Sequence, residues 1–94
     1  MPILFEWDPV KAQNNLTKHR VTFDEASTAF EDKLSITIHD PLHSSIEDRF
    51  VLFGNSRLNR VLVVVHTDRG DRIRIISARI ATRKERRYYE ENEK

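Results

Sequence analysis

Ninety-four residues without a cysteine, one third of them charged but with a net charge of only +1, fit one small domain held by packing alone, since neither a disulfide framework nor a thiolate metal site can form. The longest apolar run, residues 61–65, falls far short of the roughly 20 residues a membrane helix needs, and Met1-Pro2-Ile3 lacks the basic start of a secretory signal. The expectation is a single soluble, cytoplasmic domain over residues 1–94, frayed in its last few residues and with no membrane partner.

Residues 3–7 form an apolar and aromatic run that predicts a first strand. It ends at Asp8-Pro9, where Asp can cap a helix and Pro suits its first turn, so a helix follows over about residues 9–19. Thr22 and Glu25 have capping-box spacing and open a second helix to about Glu31, with Phe23, Ala26 and Phe30 on one core-facing stripe. From Leu34 the period changes to two: Leu34, Ile36 and Ile38 alternate with polar residues, which predicts a strand. Residues 39–46 read as a polar connection containing Pro41. Residues 48–53, 60–67 and 72–79 predict three more strands, joined by turns at 54–59 and 68–71 that are short enough for an antiparallel meander. Val61 to Val65 is apolar throughout, so that strand should be central and covered on both faces. Thr82 and Glu85 form a second capping box and start a helix that ends near Glu91. The predicted order is β-α-α-β-β-β-β-α, an α+β domain with helices packed on a mostly antiparallel sheet.

Charge is distributed unevenly along this order. Residues 69–87 carry eight Arg or Lys against two acids, a local +6, whereas residues 1–68 sum to −3 and residues 88–94 to −2. Part of the excess alternates with Ile in a strand pattern, so it belongs to a folded surface suited to a polyanion.

Several residues are candidates for chemistry. Period-two counting on the last strand puts Ile73, Ile75, Ser77 and Arg79 on one face and Arg72, Arg74, Ile76 and Ala78 on the other. The same counting groups Glu47, Arg49, Val51 and Phe53. Glu47 with Arg49 is either a general base beside a phosphate clamp or a surface ion pair contributing about 0–1 kcal/mol. Lys11, Asn15, Lys18 and His19 form a polar set at helical spacing, and His19 is either a helix-end cap or a proton shuttle. His39 and His43, with Asp40 and His66, make only a weak metal candidate, because His39 and His43 span a Pro-containing loop instead of a helical turn. No metal and no cofactor is expected. Arg83, Lys84, Arg86 and Arg87 are either a solvated helix face or phosphate contacts. Trp7, Tyr88 and Tyr89 can stack on bases or anchor their elements to the core.

The motifs FEWDP (5–9), KA (11–12), Asn15, KH (18–19), VTFDEA (21–26), HSSIEDRF (43–50), GNS (54–56), RVLVVVHTDRGDRIRIISARIAT (60–82) and ERRYYE (85–90) occur in this order. Together they resemble the BrnT family of toxins from type II toxin–antitoxin modules, over nearly the whole chain. The resemblance implies a RelE-like fold and an RNA-cleaving activity that arrests growth. It also implies a cognate BrnA-type antitoxin with a ribbon-helix-helix part, a heterotetrameric complex, and operator DNA bound through the antitoxin. The chain departs from the family pattern at Arg20, where Gly is common, which implies either a different cap or a left-handed one at a cost of about 1 kcal/mol. It also departs at Lys33, and at Asn59, whose side chain tolerates positive φ.

On residue type, strand position and this resemblance, the expected mechanism is metal-independent cleavage by attack of the ribose 2′-hydroxyl on the adjacent phosphorus. Glu47 or His19 serves as base or acid. Arg49, Arg60 and Arg79 stabilise the developing charge, since guanidinium stays protonated and suits bidentate phosphate contact. Arg74, Arg83, Lys84 and Arg86 hold flanking phosphates, and Trp7 supports the pocket. Two other readings are compatible with the charge pattern: a non-catalytic RNA-binding or operon-regulating module acting through its antitoxin, and an interaction domain for an acidic protein.

Overall fold

The computed structural model describes residues 3–40 and 47–92. Strand β1 (Leu4–Glu6) leads into α1 (Pro9–His19), whose start is fixed by Asp8 Oδ1 accepting from the Val10 amide at 2.8 Å. The helix stops at Arg20, which takes φ 59° and ψ 32° while its N–H bonds the Leu16 carbonyl at 2.9 Å. Of a different cap or a strained left-handed one, the chain adopts the left-handed one at Arg20. Helix α2 (Phe23–Thr28) tightens into a single 3-10 turn, Ala29–Glu31. Thr22 caps it, accepting from the Glu25 amide at 3.0 Å. The reciprocal half of the predicted capping box does not form, because the Glu25 carboxylate turns instead to Arg60 and the Ser56 hydroxyl. A guanidinium is the stronger hydrogen-bond partner.

Four longer strands follow: β2 (Ile36–Asp40), β3 (Arg49–Asn55), β4 (Val61–Arg69) and β5 (Arg72–Ile80), and then α3 (Arg83–Glu91). The sheet order is β1-β5-β4-β3-β2; β1 runs parallel to β5 and the other neighbours are antiparallel. The apolar strand is central, as its composition predicts. Strand β2 begins two residues later than alternation alone suggests and takes in His39 and Asp40, because its register is set by pairing with β3 from Ile36 opposite Phe53 to Asp40 opposite Arg49. The rest of the predicted 39–46 connection, with Pro41 and His43, lies outside the described residues. Gly54, predicted in a turn, belongs to β3. A Cβ there would stand 2.7 Å from the Ala29 carbonyl oxygen, so glycine is what lets the 3-10 turn press onto the strand.

The sheet has an apolar cluster on each face. On one, Val21, Phe23, Ala26 and Ala29 from α2 and its approaches pack on Leu52, Leu62, Val64, Ile75 and Ala78, joined by the partly buried Phe5, Trp7 and Phe30. On the other, Tyr89 of α3 packs on Phe53, Val61 and Val63. Its hydroxyl is anchored to Asp32 Oδ2. Strand β1 ends opposite Arg74, so the outer backbone groups of Ala78 have no strand beside them. The buried Asn15 amide takes that place, accepting from the Ala78 N–H at 3.1 Å and donating to the Ala78 carbonyl at 2.8 Å and the Val21 carbonyl at 2.9 Å. One member of the polar set on α1 is therefore spent on satisfying a sheet edge.

Candidate nucleic-acid interface

One extra residue decides where the arginines point. Pairing of β4 with β5 runs from Leu62 opposite Ile80 to Val65 opposite Ser77, then resumes with His66 opposite Ile75, leaving Ile76 as a β-bulge. A bulge inverts the alternation beyond it. Ile75 and Ala78 accordingly share the helix-covered core, although strict counting puts them on opposite faces. Arg79 pairs with Val63, Ser77 with Val65, Arg74 with Thr67 and Arg72 with Arg69. Residues in register share a face, so Arg72, Arg74, Ser77 and Arg79 all lie on the face that α3 covers at one end. The prediction that Arg79 and Arg74 face opposite ways is corrected by the bulge.

Strand β3 extends this face. Val51 pairs with Val65, and Asp40 of β2 pairs with Arg49. Arg49 and Val51 therefore stand on the same side as Arg74 and Arg79, with the half-exposed Ile38 beyond them. Continuing the β3–β4 register by one step places Arg49 next to Thr67, and so Arg49 and Arg74 lie about two strand spacings apart, roughly 10 Å. Glu47 Oε1 accepts from Arg49 Nε at 3.3 Å. Arg74 Nη1 lies 3.4 Å from Glu6 Oε2. The result is a basic, part-apolar surface on the half of the face beyond Phe53 and Val63, rimmed by α3.

Arg79 is held by a two-point fork. Its Nη1 and Nη2 donate to the two Glu85 carboxylate oxygens at 2.7 and 2.8 Å. Glu85 also completes the capping box of α3: its Oε1 accepts from the Thr82 amide at 2.9 Å and its own amide donates to Thr82 Oγ1 at 3.2 Å. The Arg79 fork, against an opposing desolvation cost and with help from the Thr82 amide, holds the Glu85 carboxyl down to about 2. Glu85 was not singled out as a site residue from sequence, because the six-residue separation from Arg79 crosses a strand-to-helix junction and belongs to no single period. On α3, Arg83, Lys84, Arg86 and Arg87 are exposed beside this surface, and Arg86 Nε sits 3.4 Å from Glu90 Oε2.

Other candidates lie elsewhere. Arg60 is not on this face: it donates through Nε at 2.9 Å and through Nη2 to the buried Glu25, and through Nη2 at 3.3 Å to the Arg20 carbonyl, tying the β3–β4 turn to the α1–α2 corner. Trp7 packs edge-on to Phe23, ring centroids 5.9 Å apart, and is partly buried on the helix-covered face, on the other side of the sheet from the arginine surface. His19 lines a recess at the outer edge of β5 with Lys11, Asn14, Lys18, Ile76 and Ser77. That places it beside the bulge, across β5 from Glu47 and Arg49. Tyr88 meets Phe53 edge-on at 5.4 Å, and Tyr89 is core.

His66, offered as part of a metal cluster, is buried on the helix side between Phe30 and Phe50, at centroid distances of 4.8 and 5.9 Å. Burial pushes its imidazole below the usual range. His39 is in β2, 3.4 Å from Asp48, and His43 is outside the described residues. Among the described residues no three metal-ligating side chains converge. Nor is any described helix long and apolar enough to cross a membrane.

The fold, an α+β mostly antiparallel sheet with two helices on one face and one on the other, is one that a small ribonuclease toxin of known structure shares. The crystal structure of the Brucella abortus ribonuclease toxin BrnT superposes with a TM-score of 0.64 at 20% identity, over 87% of this chain and 100% of that one. The family described as "Ribonuclease toxin, BrnT, of type II toxin-antitoxin system" matches residues 7–85, and the chain belongs to it. An RNA target and an antitoxin partner follow from that membership. A search of curated protein sequences finds no match.

Proposed function

We propose that the chain is a one-domain, metal-independent endoribonuclease whose RNA site is the uncovered half of the α3 face of the sheet. The observation that carries this reading is the bulge at Ile76, which gathers Arg72, Arg74 and Arg79 on one face with Arg49 and Glu47. Transesterification by a 2′-hydroxyl needs a proton acceptor, cations around the phosphorane oxygens and a proton donor for the leaving 5′-oxygen. Glu47, beside Arg49, or His19, at the outer edge of β5, serves as base or acid. Arg49, Arg74 and Arg79 stabilise the developing charge. Arg83, Lys84 and Arg86 hold the flanking phosphates, whose spacing the exposed first turns of α3 can follow. Arg60 and Trp7 act in this reading through the fold. Neutralisation by a BrnA-type antitoxin, in a heterotetramer that binds operator DNA, completes it.

The test is incubation of the purified protein with RNA in excess EDTA. Fragments with cyclic-phosphate ends are expected, and they should be lost in Arg79→Ala, Arg49→Ala and Glu47→Gln proteins that keep the parent's fold. Salt-sensitive RNA binding without cleavage would favour the non-catalytic module, and cleavage abolished by EDTA and restored by a divalent ion would remove the metal-independent mechanism.

A further inference from the structure

Resting on the ribonuclease reading, we propose that Glu85 is the positioning residue of the RNA site, a carboxylate that fixes the Arg79 guanidinium in the orientation that meets the scissile phosphate. Four observations converge on it. The Arg79–Glu85 contact is a two-point fork at 2.7 and 2.8 Å, whereas Arg74 reaches Glu6 only at 3.4 Å. A fork fixes the plane of a guanidinium as well as its distance. The Glu85 carboxylate is itself held by the Thr82 backbone amide at 2.9 Å, a bond that does not depend on the Thr82 side chain, so the orientation is inherited from the start of α3. The exposures are graded: the Glu85 side chain is 26% exposed and that of Arg79 40%, so the cation is the more open of the two to a ligand. Finally, the fork uses two of the five guanidinium N–H groups and leaves three for a ligand.

Glu85 thereby links the two parts of the basic region. Arg79 belongs to the sheet, and Arg83, Lys84 and Arg86 belong to the helix; the Glu85 side chain is bonded to Arg79 and to the helix start together. It also offsets the repulsion that Arg79 would otherwise meet among its cationic neighbours. Because its carboxyl stays ionised down to about pH 2, the hold persists throughout the neutral range.

A purely structural role, capping α3, makes a different prediction, and Glu85→Gln separates the two. Gln serves at this position of a capping box nearly as well as Glu, but it cannot accept the ionic fork. Single-turnover cleavage at saturating RNA is measured below the thermal midpoint, beside the affinity for the same RNA with its 2′-hydroxyls replaced by hydrogen. Glu85→Gln is expected to slow cleavage roughly 10–100-fold while the affinity stays within about threefold, and it should add nothing further to Arg79→Ala. Thr82→Ala, which removes a helix cap and leaves the fork, is expected to lower the midpoint and cleave at the parent rate. Cleavage by Glu85→Gln within about twofold of the parent, a Thr82→Ala defect as large as that of Glu85→Gln, or full additivity with Arg79→Ala would each overturn the assignment. If the parent cleaves and Glu85→Gln matches it, only this inference fails; if the parent cleaves nothing, the ribonuclease reading fails with it.

Discussion

Arg60 is the sharpest test of the division between site and scaffold, because residue type alone makes it as good a phosphate ligand as Arg79. In the structure its guanidinium is committed to Glu25, which is 3% exposed. Replacing Arg60 with Ala would leave Glu25 with the Ser56 hydroxyl, at 2.7 Å, as its remaining side-chain partner. Removing one member of a buried ion pair costs about 3–5 kcal/mol, and since the Arg60 side chain is 31% exposed and water can enter, the lower end, about 3 kcal/mol, is expected. In a domain of this size each kcal/mol moves Tm by about 4–8 °C, so a fall of roughly 12–24 °C should follow. Thermal unfolding gives the shift, and RNA cleavage by the purified variant, assayed where it is still folded, should stay within about threefold of the parent. The double substitution Glu25→Gln/Arg60→Ala removes the stranded charge and should recover part of the loss. An Arg60→Ala protein that unfolds within about 3 °C of the parent yet no longer cleaves would refute this reasoning and return Arg60 to the reacting phosphate.

Three further outcomes are expected. His66 is buried and held below its ordinary value of 6.5, so the unfolded chain takes up the proton first; its contribution to stability is complete above that value and falls as the pH drops through it. His66→Leu should flatten that limb of the stability–pH curve, as read by urea unfolding. Glu85 adds a second, lower limb: stability present above 4.5 is lost as the pH falls toward about 2, and Arg79→Ala should remove most of it, a difference of about 2 kcal/mol in urea unfolding at neutral pH. Gly54→Ala forces a methyl to within 2.7 Å of the Ala29 carbonyl oxygen. It should cost about 1–3 kcal/mol with no change in cleavage by the folded protein, and a neutral result in thermal unfolding would mean that the 3-10 turn can retreat.

Much of the fold was legible in the sequence because it rests on local rules. Asp8-Pro9 starts α1, Thr82 and Glu85 form a full capping box, and the unbroken apolar run at Val61 becomes the central strand with an apolar cluster on each face. Errors arose where a distant partner outbid a local one. Glu25 has capping-box spacing, yet Arg60, 35 residues away in sequence, takes its carboxylate. Alternation placed β2 two residues early, since only pairing with β3 fixes where a strand begins.

By itself the sequence determined that a basic strand and a basic helix adjoin, because charge and the junction at Thr82 are local properties of residues 69–87. Which way those charges face was decided only in three dimensions. A bulge arises from the pairing of two strands and shows in the period of one only as the doubled Ile75-Ile76, so Ile76 moved Arg79 onto the face of Arg72 and Arg74 by a shift that strict alternation does not contain. The same is true of Arg60 and Glu85, whose roles depend on carboxylate and guanidinium groups meeting across elements, where Coulomb attraction depends on distance in space and not along the chain.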